Sequence, residues 1–98
     1  MLYTLQGEIA ERGENFLVVQ CGGIGFKVIS NGRTLKAFPE KGNVTLYTFL
    51  YIREEQMELY GFLEEDARKF FELLNTVAGV GPKTALGILD IDSVPNIM

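Results

Sequence analysis

The fold is decided within residues 56–77, which read QMELYGFLEEDARKFFELLNTV, because the hydrophobic period changes there. Up to residue 62 the pattern is typical of a strand, whereas from Glu64 onward the spacing of apolar residues is helical. Three acidic residues open the helical part, where negative charge complements the helix dipole. The pattern predicts an amphipathic helix over residues 64–77. Its apolar positions are Ala67, Phe70, Phe71, Leu74 and Val77.

The first 63 residues are rich in strand-forming residues and in turn signals. They hold all four tyrosines and eight of the eleven glycines, and a short helical segment at residues 33–38 ends before Pro39. Five strands with a small helix between the third and the fourth are typical of an OB-fold barrel, although the pattern also permits an SH3-like barrel. The predicted strands cover residues 2–10, 15–21, 24–30, 43–52 and 56–62.

The fourth predicted strand is apolar on both of its faces. One face carries Val44, Leu46, Leu50 and Ile52, and the other carries Tyr47, Phe49 and Tyr51. This alternation predicts a strand that is covered on both sides over part of its length.

Residues 77–85, which read VAGVGPKTA, form the motif that says most about function. Two helices joined by a tight Gly-x-Gly turn leave the first N–H groups of the second helix without partners, and the glycines permit positive φ and close approach. A phosphate can sit against these N–H groups, with a lysine side chain adding positive charge. This helix-hairpin-helix arrangement predicts DNA contacts that do not depend on base sequence, although a plain αα-hairpin with a glycine turn is the alternative. The predicted DNA-binding residues are Gly79, Val80, Gly81, Lys83 and Thr84, with Val80 also packing back between the two helices.

The second helix is predicted to begin at Pro82 and to be broken between Asp90 and Ser93. Ser93 is a candidate cap for a third helix, but the sequence stops five residues later. We therefore expect an OB-fold domain over residues 1–63 and a partial helix-hairpin-helix domain over residues 64–98, the latter truncated after its first hairpin.

Charge and composition exclude several classes of function. The net charge is −4, and neither residues 1–63 nor residues 64–98 are basic, which counts against a broad basic DNA-binding surface. The sequence has no histidine and one cysteine, Cys21, so His-based triads and Cys-rich zinc sites are excluded. No signal-like segment opens the chain and no apolar run reaches membrane length. We expect a cytoplasmic protein that has no membrane partner.

Five short motifs occur in one order along the chain. Together they resemble the RuvA family of bacterial Holliday-junction-binding proteins over essentially all 98 residues. The motifs are Gly22-Gly23-Ile24-Gly25-Phe26, Leu46-Tyr47-Thr48, Arg53-Glu54-Glu55, Leu59-Tyr60-Gly61-Phe62 and Gly79-Val80-Gly81-Pro82-Lys83. RuvA-like chains carry an OB domain, a domain with two helix-hairpin-helix motifs and a C-terminal domain that engages the RuvB motor. The second hairpin motif and the motor-binding domain are not found in this sequence.

The resemblance implies a non-catalytic subunit that binds four-way junction DNA as a homotetramer, or as two stacked tetramers. The separate RuvB ATPase then drives branch migration in recombination and in the repair of DNA damage. The resemblance also assigns Glu54 and Glu55 to an acidic pin that repels phosphates at the junction centre, and Arg53 to an adjacent basic residue. It implies no cofactor, no metal and no catalytic residue. Because the motor-binding domain is not found, we expect this chain not to recruit RuvB.

Other interpretations of the same residues stay open. Without the resemblance, Glu54 and Glu55 form an ordinary solvated turn, and a nuclease site made of Glu54, Glu55 and Glu58 lacks the usual partners of a metal centre. A single-strand-binding OB module would use exposed aromatic residues and Lys27, although such aromatics more often pack within a sheet. A structural oligomerisation module, with the helical half as its interface, is the third class of function.

Overall fold

The computed structural model describes residues 2–91, so the predicted third helix at Ser93 and the predicted truncated end lie outside the described residues. Five strands come first, with one short helix between the third and the fourth, and two helices follow. The elements are β1 (Thr4–Arg12), β2 (Phe16–Cys21), β3 (Ile24–Ile29), α1 (Gly32–Ala37), β4 (Asn43–Arg53), β5 (Gln56–Phe62), α2 (Glu65–Asn75) and α3 (Pro82–Ile91).

The five strands form a closed barrel in the order β1-β2-β3-β5-β4, in which β4 pairs with β1 as well as with β5. All neighbours are antiparallel except β3 and β5, which are parallel and pair through Val28 with Leu59 and Ile29 with Tyr60. The hydroxyl of Ser30 donates to the carbonyl of Gly61 at 2.7 Å beside this pairing. The strand order, with α1 between β3 and β4, is that of an OB-fold and confirms the predicted fold class.

Several predicted element ends are wrong by a few residues. Strand β1 runs to Arg12 and not to residue 10, because after a register shift between Ile9 and Glu11 it keeps pairing with β2. Helix α2 covers Glu65–Asn75, shorter than the predicted 64–77, since backbone N–H groups of Thr76 and Val77 bond carbonyls three residues back and close the helix. Helix α3 continues through Asp90 to Ile91, into the segment Asp90–Ser93 where its break was predicted, and the rest of that segment lies outside the described residues.

Two apolar clusters lie on the two sides of β4. The barrel interior contains Leu17, Val19 and Leu46, each at most 1% exposed. The second cluster lies between the outside of the barrel and the helices, where Phe62 and Phe71 are both fully buried. Val44, Leu46 and Leu50 face the first cluster, and Phe49 and Tyr51 face the second. The prediction that β4 is covered on both sides is therefore confirmed.

A polar contact fixes α3 against the barrel. The side-chain oxygen of Asn31 accepts the N–H of Thr34 at 2.7 Å and so caps α1, while its amide nitrogen donates to the carbonyl of Leu86 at 3.1 Å. One buried asparagine therefore joins the connection after β3 to the last described helix. Within residues 2–91 no helix is both long and apolar enough to cross a membrane.

Candidate nucleic-acid interface

The turn between α2 and α3 contains one glycine in the left-handed region and one tight backbone hydrogen bond. Gly79 adopts a φ of 84°, in the left-handed region that disfavours side chains. The N–H of Val80 donates to the carbonyl of Val77 at 3.1 Å, which tightens the turn. Val80 packs against the cluster that holds Phe71 and Leu86, so the prediction that it packs back between the helices is confirmed.

Helix α3 begins with unpaired backbone donors. Its first described intrahelical bond at this end runs from the N–H of Ala85 to the carbonyl of Gly81, at 3.0 Å. Within the described part of the chain, the N–H groups of Lys83 and Thr84 have no hydrogen-bond acceptor, as expected for the first turn of a helix. Both residues are exposed. An anion that approached this turn would meet two N–H groups, the positive end of the helix dipole and the Lys83 ammonium.

Gly81 contributes differently from Gly79. Only Gly79 of the pair has a positive φ, so Gly81 does not adopt the left-handed backbone conformation that glycine permits. A Cβ built on Gly81 would meet no heavy atom within 4 Å. The space beside Gly81 is therefore open, and a small side chain at this position would fit without a clash.

The acidic pair lies at the tip of the β4–β5 hairpin. Arg53 and Gln56 are the last paired residues, and Glu54 and Glu55 form the two-residue turn between them. All four residues are exposed. The tip therefore presents two adjacent carboxylates to solvent, which agrees both with an ordinary solvated turn and with the acidic pin that the resemblance implies.

Arg53 does not extend with the tip but folds back along β4. Its guanidinium lies 4.4 Å from the centroid of the Tyr51 ring, and its Nη1 donates to the carbonyl of Ile52 at 2.9 Å. Together with the end of α2 it lines an open groove of about 330 Å³. The groove residues are Phe49, Leu50, Tyr51, Ile52, Arg53, Glu72, Asn75 and Thr76. The strand that leads into the acidic tip and the helix that leads into the Gly79 turn thus face each other across one groove.

Helix α2 is held on the barrel by a buried arginine. Arg68 is 8% exposed, and its Nε donates to the carbonyl of Thr48 at 2.6 Å. Its Nη1 bonds the carboxylate of Glu72 at 3.0 Å, and its guanidinium lies over the Tyr3 ring at 4.0 Å. The Tyr3 hydroxyl in turn donates to Glu65 at 2.7 Å, and this hydrogen bond raises the pKa of Tyr3. The contacts join the start of the chain, β4 and α2 at one place.

The tyrosines and phenylalanines act mainly in packing. Tyr60 is buried between Tyr51 and Phe71, and burial followed by its hydrogen bond to Glu58 raises its pKa above the usual value for tyrosine. On the outer face of β2 and β3, the ammonium of Lys27 lies 4.7 Å from the centroid of the Phe16 ring. The Phe16 ring on the outside of the barrel therefore already has a cationic partner within the chain.

Two residues of structural importance were not predicted from sequence. Arg68 was not singled out because a single arginine beside an apolar stripe is usually solvated, and only its distant partners bury it. Asn31 was not singled out either, although an asparagine three residues before a threonine is a candidate helix cap. Of the three glutamates considered as a nuclease site, Glu58 accepts a hydrogen bond from the Tyr60 hydroxyl at 2.9 Å. Within residues 2–91 no three His, Cys, Asp or Glu side chains converge as metal ligands do.

Fold and site together define a class of protein: an OB-fold barrel with an acidic hairpin tip, followed by two helices joined by a Gly-x-Gly turn. The family described as the RuvA N terminal domain matches residues 1–61, and the chain belongs to this family.

Curated relatives extend the similarity through the helices. The RuvA subunit of the Holliday junction branch migration complex from Thermoanaerobacter sp. strain X514 is 41% identical over 99 aligned residues, which cover all of this chain and 53% of the relative. The subunit of the same name from Caldanaerobacter subterraneus subsp. tengcongensis is 40% identical over 93% of this chain and 49% of its own length. That from Bradyrhizobium sp. strain ORS 278 is 42% identical over 91% of this chain and 44% of its own length. The chain spans about half the length of the curated relatives it matches.

Proposed function

We propose that this chain is the DNA-binding part of a subunit that binds four-way junctions and supports their branch migration. The observation that carries the proposal is the pair of unpaired N–H groups on Lys83 and Thr84, beside the Gly79 turn. Donors of this kind bind sugar-phosphate and do not read base edges. A protein that follows a junction as it moves along DNA requires this independence of sequence. The names of the curated relatives support the same substrate.

In this proposal Gly79, Val80, Gly81, Lys83 and Thr84 form the duplex-binding segment. Glu54 and Glu55 form a pin that repels phosphates where the strands of the junction converge, and Arg53 is the basic residue beside them. The arrangement is supported by the exposure of the two carboxylates and by the groove that β4 and α2 share. Like charges at a tip lower the local affinity for phosphate, and salt screens the effect over about 10 Å at 0.1 M.

The proposal also includes assembly and partners. Four copies around one junction would bring four acidic tips to its centre, and a separate RuvB ATPase would supply the motor, so this chain itself catalyses no reaction. We place the boundary between the OB-fold domain and the partial helix-hairpin-helix domain at residues 63 and 64. The proposed site of action is the cytoplasm.

Fluorescence anisotropy with a labelled four-way junction, a duplex and a single strand of matched length tests the proposal. We expect the junction to bind most tightly and the affinity to fall steeply with salt. A preference for the single strand would favour a single-strand-binding OB module. Binding to none of the three, with a stable oligomer in light scattering, would favour a structural module.

A further inference from the structure

The hairpin below the acidic tip carries two apolar side chains that stay exposed to solvent. Ile52 and Met57 are directly paired across β4 and β5, one step below Arg53 and Gln56. Ile52 is 46% exposed and Met57 is 72% exposed. Residues paired in this way point to the same face of the hairpin with their Cβ atoms about 5 Å apart. They therefore form one apolar surface, which we call the Ile52–Met57 face.

This face continues the row of side chains that fills the barrel. Alternation places Ile52 in line with Leu46 and Leu50, which lie in or against the barrel interior. The row becomes exposed because the hairpin extends beyond its neighbours. Strand β1 pairs with β4 only as far as Tyr47, and strand β3 pairs with β5 only at Leu59 and Tyr60.

The opposite face of the hairpin is braced. Arg53 stacks on Tyr51, Tyr51 meets Tyr60 edge to face at 6.3 Å, and Tyr60 contacts Phe71 of α2 at 5.0 Å between ring centroids. This row of stacked side chains connects the base of the tip to the helices. The Ile52–Met57 face is thus presented on a supported hairpin, which lowers the entropy cost of binding a partner.

The charges around the face restrict what can cover it. Glu54 and Glu55 lie immediately above it, so phosphate groups are repelled from the space in front of it. The faces of nucleobases are neutral and apolar, and isoleucine and methionine are among the side chains that proteins place against unstacked base steps. A DNA strand near the tip would therefore be attracted through its bases and repelled through its phosphates.

We propose that the Ile52–Met57 face packs against nucleobases exposed at the crossover of a four-way junction. This inference rests on the proposed function, in which a junction held at the tip would bring partly unstacked bases to it. The hairpin then has two functions: its carboxylates exclude the backbone, and its apolar face stabilises the bases that are left open.

The test combines a double variant, Ile52→Ser with Met57→Ser, and a junction with 2-aminopurine beside the crossover. In the unsubstituted 98-residue chain we expect junction binding to change 2-aminopurine fluorescence. The double variant should lose most of this change and bind the junction about tenfold more weakly, because apolar contact area is lost. Its affinity for duplex DNA should stay the same. Ile24→Ser is the matched control, since Ile24 is an apolar side chain that is 58% exposed and belongs to β3 and not to the β4–β5 hairpin.

Each further outcome of this experiment overturns either the inference alone or the proposed function together with it. A double variant with native melting temperature, native junction affinity and the full fluorescence change would overturn the inference while leaving the proposed function intact. A double variant with reduced oligomer mass would also overturn it, since the face would then be a contact between copies. If the unsubstituted chain does not prefer the junction to the duplex, the proposed function fails first and the inference fails with it.

Discussion

The guanidinium of Arg68, a residue of α2, lies 4.0 Å from the centroid of the Tyr3 ring. Tyr3 comes from the start of the chain and also contacts α2 through its hydroxyl. Arg68 bonds Glu72 one turn later, and Tyr3 bonds Glu65 in the first turn. The Arg68 Nε also donates to the carbonyl of Thr48, and this buried hydrogen bond joins α2 to β4. This contact holds α2, the helix that leads into the Gly79 turn, against the barrel.

We expect Arg68→Met to lower the free energy of unfolding by about 2 kcal/mol, because the Thr48 carbonyl loses a buried hydrogen-bond donor. Urea unfolding followed by circular dichroism measures the change. Glu72→Gln is the control, since Glu72 is half exposed and such ion pairs contribute at most about 1 kcal/mol. Equal losses in both variants would show that the ion pair, and not the Thr48 contact, holds the helix.

The two glycines of the turn should differ in their effects. Gly79→Ala places a Cβ at a φ of 84° and should cost about 1 kcal/mol of stability, although the space around it is open. Gly81→Ser should leave stability unchanged or raise it, because serine is a favoured N-cap residue. Its hydroxyl would nevertheless bond the N–H groups proposed for phosphate and weaken DNA binding. Thermal unfolding and anisotropy separate the two effects, and full DNA affinity in Gly81→Ser would remove these N–H groups from the proposed site.

Lys83→Ala should weaken DNA binding equally for all base sequences. The loss of one phosphate contact should reduce the slope of log affinity against log salt by about 0.9 for duplex DNA. Anisotropy titrations between low and moderate salt give the slope. Lys41→Ala is the control, since Lys41 precedes β4 and lies at the opposite end of that strand from the acidic tip. An unchanged slope for Lys83→Ala would mean that its ammonium does not contact phosphate.

Neutralising the tip should strengthen binding. Glu54→Gln with Glu55→Gln removes two like charges and should raise DNA affinity at low salt while reducing the preference for junction over duplex. Glu8→Gln with Glu40→Gln changes net charge equally, and both of these residues are exposed near the far end of β4. Weaker binding by the tip variant would contradict repulsion. The same titrations with Mg²⁺ or Mn²⁺ should give no cleavage, and metal-dependent nicking that vanished with Glu54 would instead indicate a nuclease.

Stability should fall at alkaline pH, partly through Tyr60. Burial and the hydrogen bond to Glu58 raise the pKa of Tyr60 above 10.0, the ordinary value. The unfolded chain therefore loses this proton first, so stability is present below pH 10 and decreases as pH rises from there. Urea midpoints at pH 8, 10 and 11 should fall less steeply in Tyr60→Phe than in the unsubstituted chain. The offset at pH 8 accounts for the lost hydrogen bond itself, and parallel slopes would contradict the assignment.

The features that were predicted correctly from sequence are set by residues that lie close together in the chain. The Gly79 turn, the exposed Glu54–Glu55 tip and the alternation along β4 each follow from spacing within about ten residues. The buried state of Arg68 does not, because Tyr3 and Thr48 come from distant parts of the chain. The end of β1 was also missed, since the register shift after Ile9 depends on pairing with β2 and no residue type marks it. The assignment of DNA contacts to single residues stays a prediction.

Barrel closure has a consequence for how copies of this chain can associate. In residues 2–91 every strand has a partner on each side, and Ser30 reinforces the short β3–β5 seam. Where the strands are paired on both sides, no edge is left on which another chain can add a strand. Subunits crowded around one DNA molecule would otherwise be at risk of irreversible edge-to-edge aggregation. In the proposed assembly, copies that associate through side chains alone would bind reversibly, so that the assembly could open to admit DNA and close again around it.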